Sequence, residues 1–238
     1  LFWRNIESGA NTIFHMNGAL IASNEATNPV VDTAWQVKGI VDFDGDGKSD
    51  VLWHHEVSGE VAIFFMDGAT VRESVGVKTV SDLNWEIAKV GDVNNDGRGD
   101  LIWRHKISGR NIVWYMDGAE IAESHTLRTV GTAWQLAGLG DIDGNGSDDI
   151  IWRHKTDGRN FVHLMNEEGR FMSNRLINIV PESSWLIADV LDLNGDGKDD
   201  LFWRNQDSGR TYIHLLDGAT ILQRGFSQTI TPDWQNVN

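Results

Sequence analysis

The 238-residue chain has no cysteine, so no disulfide framework and no thiolate nucleophile can be built from it. It is poor in cations: 20 Lys and Arg stand against 35 Asp and Glu, giving a net charge of −15. A nucleic-acid binder needs a positive stripe to displace counterions, and this balance excludes one. No apolar run reaches the roughly 18–20 residues of a membrane-crossing helix, so no membrane insertion is expected. No secretory leader pattern opens at Leu1, and any signal peptide is expected to lie outside this chain. Catalytic signatures are missing too: there is no Gly-x-Ser-x-Gly elbow, His-Glu-x-x-His helix or Gly-x-x-x-x-Gly-Lys-Ser/Thr phosphate loop. The eight histidines fall mostly in repeating columns, which suits a scaffold, and the chain is expected not to be an enzyme.

What is abundant is a repeated acidic loop. It opens at Asp42, Asp92, Asp141 and Asp192, 49 to 51 residues apart. Positions 1, 3, 5 and 9 read Asp42/Asp44/Asp46/Asp50, Asp92/Asn94/Asp96/Asp100, Asp141/Asp143/Asn145/Asp149 and Asp192/Asn194/Asp196/Asp200. Oxygen side chains at this spacing around turn-forming glycines suit a hard cation such as calcium, which takes six to eight oxygens at about 2.3–2.6 Å. Position 7 is Lys48, Arg98, Ser147 or Lys198, so its side chains share no chemistry and a backbone carbonyl ligand is assigned there. About four calcium ions are expected, which would bring the net charge from −15 to about −7. Bare turns are the competing explanation, but packed carboxylates repel one another without a cation. The bidentate Glu that closes an EF-hand at position 12 is replaced by Trp53, Trp103, Trp152 and Trp203, each on a β-branched and aromatic run typical of a strand. Extracellular modules bind calcium at the weak end of the range and would stay empty in cytosol, so a secreted or cell-surface location is expected.

Aligned on its tryptophans, each unit runs through an apolar segment, the acidic loop, the Trp-bearing strand, a Ser-Gly or Asp-Gly turn, a third strand, an Asx-Gly turn and a polar fourth segment. These glycine dipeptides are hairpin signals, and four short antiparallel strands per period of fifty describe a propeller blade. The expectation is an all-β fold: a single β-propeller domain over 1–238 with units near 1–34, 35–84, 85–133, 134–184 and 185–233. Residues 234–238 would close the first unit, making five blades sealed by N- and C-terminal strands. The alternative is five units from a longer array. Arg98-Gly99-Asp100 and Asn145-Gly146-Ser147 spell an integrin-recognition tripeptide and a glycosylation sequon, but both lie inside acidic loops and are discounted.

The Asp-x-Asx-Gly/Asn-Asx-Gly-x-x-Asp loop followed by a strand resembles the FG-GAP, or VCBS-type, repeat of bacterial surface proteins, propeller lectins and the integrin alpha-subunit head. The resemblance covers essentially the whole chain and implies a propeller with calcium between the first two strands of each blade. Members often have seven blades, where five are read here. Such repeats serve adhesion, carbohydrate binding and accessory roles. Two functions follow as expectations: a module that binds carbohydrate or a cell-surface protein, or an accessory propeller of a larger secreted enzyme or adhesin. Trp53, Trp103, Trp152 and Trp203, with His55, His105, His154 and Asn205 two residues on, are the candidate ligand-binding columns. Blade-to-blade packing is the plainer use of such tryptophans. Oligomeric state is not readable from the sequence.

Overall fold

The computed structural model describes residues 1–17 and 20–230. It is a five-bladed β-propeller of antiparallel sheets. The first blade has β1 (Phe2–Arg4), β2 (Asn11–Asn17) and β3 (Leu20–Thr27); the second has β4 (Trp35–Val41), β5 (Asp50–His55), β6 (Glu60–Asp67) and β7 (Thr70–Thr79). The third blade has β8 (Trp85–Gly91), β9 (Asp100–His105), β10 (Asn111–Asp117) and β11 (Glu120–Leu127). The fourth has β12 (Trp134–Gly140), β13 (Asp149–His154), β14 (Arg159–Met165) and β15 (Phe171–Ile179), and the fifth β16 (Trp185–Leu191), β17 (Asp200–Asn205), β18 (Arg210–Asp217) and β19 (Thr220–Thr229). The first strands touch from blade to blade, β4 with β8, β8 with β12 and β12 with β16, and form the inner wall of the ring. The expected closing segment, 234–238, lies outside the described residues.

The second strand of each blade is apolar on both faces because both faces are covered by neighbouring blades. Residues 50–54 of β5, and their counterparts in β9 and β13, are buried without interruption. The core is accordingly a series of layers between sheets: Phe43, Leu52, Ile63 and Phe65 of the second blade meet Leu101, Trp103, Trp114 and Met116 of the third. Similar layers join the third to the fourth blade and the fourth to the fifth. Each layer needs the inner strands to approach closely. A Cβ on Gly138 would come within 2.4 Å of Val190 in the next blade, so glycine is required there.

The outer turns are stitched to the linkers that lead to the next blade. Gly59, at φ 76°, closes the β5–β6 turn, and its carbonyl accepts from Val80 N–H at 2.7 Å. A Cβ on Gly59 would collide with that linker's backbone, 2.0 Å from the Val80 oxygen. The same bond recurs at Gly9, Gly109, Gly158 and Gly209. Hairpin geometry therefore puts the acidic loops and Asx-Gly turns on one rim of the ring, and the Ser-Gly turns and linkers on the other.

Candidate functional site

Each acidic loop is folded by its own first aspartate. Asp42 accepts from Gly45 N–H and Gly47 N–H, both at 2.7 Å, through its two carboxylate oxygens. Asp141 accepts from Gly144 and Gly146, and Asp192 from Gly195 and Gly197, in the same way. The sixth position takes positive φ in every loop, 82° at Gly47 and 93° at Gly146, which is the reason for its glycine. Position 4 also turns left-handed, and Asn95 at φ 57° shows that asparagine serves there as well as glycine.

Carboxylates converge in two of the loops. One oxygen each of Asp42, Asp44 and Asp46, and of Asp141, Asp143 and Asp149, lie within 4.8 Å of one another. In the other two, the position-3 amide turns its nitrogen to position 5: Asn94 Nδ2 donates to Asp96 at 3.1 Å and Asn194 Nδ2 to Asp196 at 3.0 Å. The donor set is all oxygen, which suits a hard divalent cation. Asp143 Oδ1 is buried with no hydrogen-bond partner, an acceptor that a cation in the 141–149 loop would satisfy. Beside the 42–50 loop a guanidinium already neutralises part of the cluster, with Arg72 Nη2 2.6 Å from Asp44 and 3.1 Å from Asp46.

The position-9 aspartates do more than sequence reasoning assigned to them. All four are fully buried. Asp149 accepts from Ile142 N–H at 3.1 Å and from Met165 N–H at 2.7 Å, pinning the loop's start to the third strand. Asp50, Asp100 and Asp200 make the equivalent pair of bonds. Each oxygen keeps a second lone pair for an ion. Burial pushes the Asp100 and Asp149 carboxyls up to about 8 against those amide bonds, with the acidic neighbours adding to the rise. Asp50 and Asp200 are raised for the same reason. A divalent cation among these oxygens acts in the opposite direction.

The charged position-7 side chains reach to the following Asx-Gly turn, Lys48 Nζ also lying 3.9 Å from Asp46 of its own loop. Lys48 Nζ lies 3.0 Å from Asp67 and Arg98 3.6 Å from Asp117, while Lys198 pairs with Asp217, each partner sitting in the following Asx-Gly turn. Ser147 is fully buried with its hydroxyl unpartnered. The loops are also bonded from blade to blade: the carbonyls of Asp42, Asp92 and Asp141 accept from Gly99, Asp148 and Asp199 N–H at 2.7, 2.9 and 2.7 Å. With Asp100 fully buried, the Arg-Gly-Asp tripeptide cannot be presented, and Asn145 spends its amide on Met165 O at 2.7 Å.

The tryptophan column belongs to the core. Trp53, Trp103, Trp152 and Trp203 are only 1–2% exposed, so none offers a face to a sugar. The preceding blade covers them: Arg4 lies 4.8 Å over Trp53, Arg104 4.8 Å over Trp152 and Arg153 5.2 Å over Trp203. His54 meets Trp103 edge-on at 5.6 Å. These arginines also tie the linkers; Arg104 donates to the carbonyls of Val130, Gly131 and Trp134 and to Asn111 Oδ1. Burying each indole removes roughly 150–250 Å² from water, on the order of 4–6 kcal/mol per blade.

The His/Asn column caps the outer turns. His55 Nδ1 accepts from Ser58 N–H at 2.9 Å, and His105 Nδ1 from Ser108 N–H at 3.1 Å. His154 does the same for Asp157, while Asn205 uses its carbonyl oxygen for Ser208. Histidine and asparagine interchange because both present an acceptor at that point.

An open cleft of about 340 Å³ lies between the fourth and fifth blades on the linker rim, away from the acidic loops. It is lined by Asn178, Trp185, Tyr212, His214, Arg224 and Phe226 among others. His214 Nδ1 accepts from Trp203 Nε1 at 3.1 Å, which leaves the ring proton on Nε2. Burial, with Arg224 nearby, holds His214 down at about 4, so the ring is neutral. Of these residues only Trp203, at the cleft floor, was singled out as a ligand candidate from sequence.

Repeated acidic turns between the first and second strands of stacked blades define a repeat β-propeller whose loops could hold metal. The chain belongs to the FG-GAP-like repeat family, whose pattern matches residues 42–103 and 141–203. No curated protein matches it in sequence. Among solved structures it is similar to an Agrocybe aegerita lectin that recognises non-reducing terminal N-acetylglucosamine, at 19% identity and TM-score 0.66, covering 92% of this chain and 60% of the lectin. It is similar to a chain of a nidogen/laminin complex at 14% identity and TM-score 0.58, covering 92% and 75%. A luciferin-regenerating enzyme matches at 11% identity and TM-score 0.55, covering 94% and 75%. The chain thus spans 60% of the lectin's length, and these likenesses concern the fold, which carries both binding proteins and an enzyme.

Proposed function

We propose that the chain is a calcium-loaded, extracytoplasmic propeller that binds carbohydrate without catalysing its conversion, with the four acidic loops as its metal sites. Calcium at one rim would bridge strands within each of the second to fifth blades and hold the loop-to-loop bonds between them, keeping the opposite rim in a fixed shape. The observation that carries the calcium reading is the convergence of Asp141, Asp143 and Asp149, with Asp143 Oδ1 buried and unpartnered. For carbohydrate, the support is the aromatic-lined, polar-edged cleft on the linker rim and the likeness to a sugar-binding lectin. Pyranose rings present C–H faces to aromatic rings and a rim of hydroxyls to polar groups, and this cleft offers both.

A glycan array probed in millimolar calcium tests the reading. Retention of a defined set of glycans is expected, falling in excess chelator as the ring loosens. An array with no glycan retained in either condition overturns the carbohydrate assignment.

A further inference from the structure

The cleft between the fourth and fifth blades lacks a cation that crosses two of the other interfaces, as does the first interface, where the matching residue is Asn28. At the interface of the second and third blades, Lys78 reaches across to lie 5.4 Å over Trp114. At the next interface Arg128 lies 4.6 Å over Phe171. At the fourth and fifth blades the matching position is Asn178, an uncharged side chain that reaches across only as far as His214 Nδ1, at 3.4 Å. A cation that fills two successive clefts is absent from the third.

The other wall is altered as well. Cross-strand register puts Trp203, Tyr212 and Phe226 in one row of the fifth blade, with His214 and Arg224 in the next. The matching outermost pair is Ser74 and Gly76 in the second blade, Ser124 and Thr126 in the third, and Asn174 and Leu176 in the fourth. The first blade has Asn24 and Ala26 there, and among the described residues only the fifth blade places an aromatic and a cation at these positions. Phe226 is 60% exposed, meets Tyr212 edge-on at 4.6 Å and borders the cleft together with Trp185. Arg224 has no ion-pair partner among the described residues.

Resting on the carbohydrate reading above, we infer that this single cleft binds an acidic saccharide, its ring against Phe226 and Tyr212 and its carboxylate on Arg224. A guanidinium takes a carboxylate in a two-pronged, charge-assisted pair, which a neutral sugar cannot reproduce. The remaining N–H of Asn178, whose Oδ1 already accepts from Asn160 Nδ2 at 3.0 Å, and the Nε2–H of His214 supply hydrogen bonds for hydroxyls. Beyond Trp185 and Phe226 lies a second recess of about 440 Å³ lined by Glu182, Asp207, Ser208 and Arg210, whose guanidinium lies 4.0 Å over the Phe226 ring. With two carboxylates and one guanidinium this recess carries no net positive charge, so the acidic residue sits on the Arg224 side and a neutral sugar of the same chain extends past Trp185.

Calorimetric titration of the whole chain in calcium, with a glucuronic-acid-containing oligosaccharide and its carboxyl-reduced counterpart, tests this. The acidic form is expected to bind about tenfold tighter. Arg224→Met should abolish that preference, and Phe226→Ala should weaken both ligands. Asn178→Arg, which restores the crossing cation, should remove binding of both with melting unchanged. Equal binding of the two sugars that is insensitive to Arg224→Met overturns the inference and leaves the carbohydrate reading standing. So does failure of both to bind when the array retains other glycans; an array empty throughout removes the reading itself.

Discussion

In excess chelator the protein melts at least about 10 °C below its melting temperature in millimolar calcium. An ion held only by the folded state stabilises it by about 2.7 kcal/mol per site at a hundred times its dissociation constant. For chains of this length each kcal/mol moves the midpoint by about 2–4 °C, so one filled loop accounts for roughly 5–10 °C. Four loops act on a single ring whose blades share core layers and whose loops are bonded one to the next through Gly99, Asp148 and Asp199. Differential scanning calorimetry in calcium, in magnesium and in chelator measures the effect. Magnesium should restore little, since it demands tighter octahedral geometry than a flexible loop of carboxylates and carbonyls provides. Melting that is indifferent to chelator would reduce the loops to turns.

Asp149→Ala costs about 3–5 kcal/mol in calcium and less in chelator, where burial of the bare carboxylate offsets part of what its two amide bonds contribute. The substitution strands two buried backbone donors, Ile142 N–H and Met165 N–H, which the carboxylate satisfies at 3.1 and 2.7 Å. Leaving a buried donor unpaired costs about 1–3 kcal/mol, and here two are left with a small void. Asp143→Ala makes the contrast. Its Oδ1 has no partner within the protein and burial raises its carboxyl, so the substitution should be within about 0.5 kcal/mol of neutral in chelator. In calcium, Asp143→Ala should cost about as much as one filled site. Denaturant melts of both variants, with and without calcium, separate the position that folds the loop from the position that only binds.

The blades were legible because their punctuation is strong. Acidic loops, Ser-Gly turns and Asx-Gly turns recur at fixed offsets, and the strands between them lack any helical period, so all-β blades followed directly. The register of β5 to β6, or of β13 to β14, followed from the turns that join them. What the tryptophans touch did not follow, because the arginine, or at Trp103 the histidine, that meets each indole comes from the preceding blade, some fifty residues away. Nor did the role of that arginine, whose partners are backbone carbonyls of a linker and carry no side-chain signature. The dual role of position 9 was hidden for the same reason: its acceptors serve backbone amides, which every residue has.

The cleft shows a different limit. Asn178 and Phe226 look unremarkable along the chain, one a polar residue near a strand end and the other an aromatic in a polar strand. Their meaning appears when the columns are compared across blades: Lys78, Arg128 and Asn178 on one wall, Gly76, Thr126, Leu176 and Phe226 on the other. Register decides which residues share a column, and the irregularities after Leu164 and Leu215 make it unsafe to count along the chain alone. The His55, His105, His154 and Asn205 column does carry its meaning in the sequence. Its exchange of histidine for asparagine is a sign of an acceptor for a turn, which is what the structure finds.

The most direct test of the account is an anomalous difference map from crystals grown in calcium. The account predicts a strong peak inside each of the loops 42–50, 92–100, 141–149 and 192–200, about 2.3–2.6 Å from the oxygens of positions 1, 3, 5 and 9 and the carbonyl of position 7. Asn94 and Asn194 should have turned their amide oxygens to the ion. Loops without a peak, with those amides still donating to Asp96 and Asp196, would contradict it.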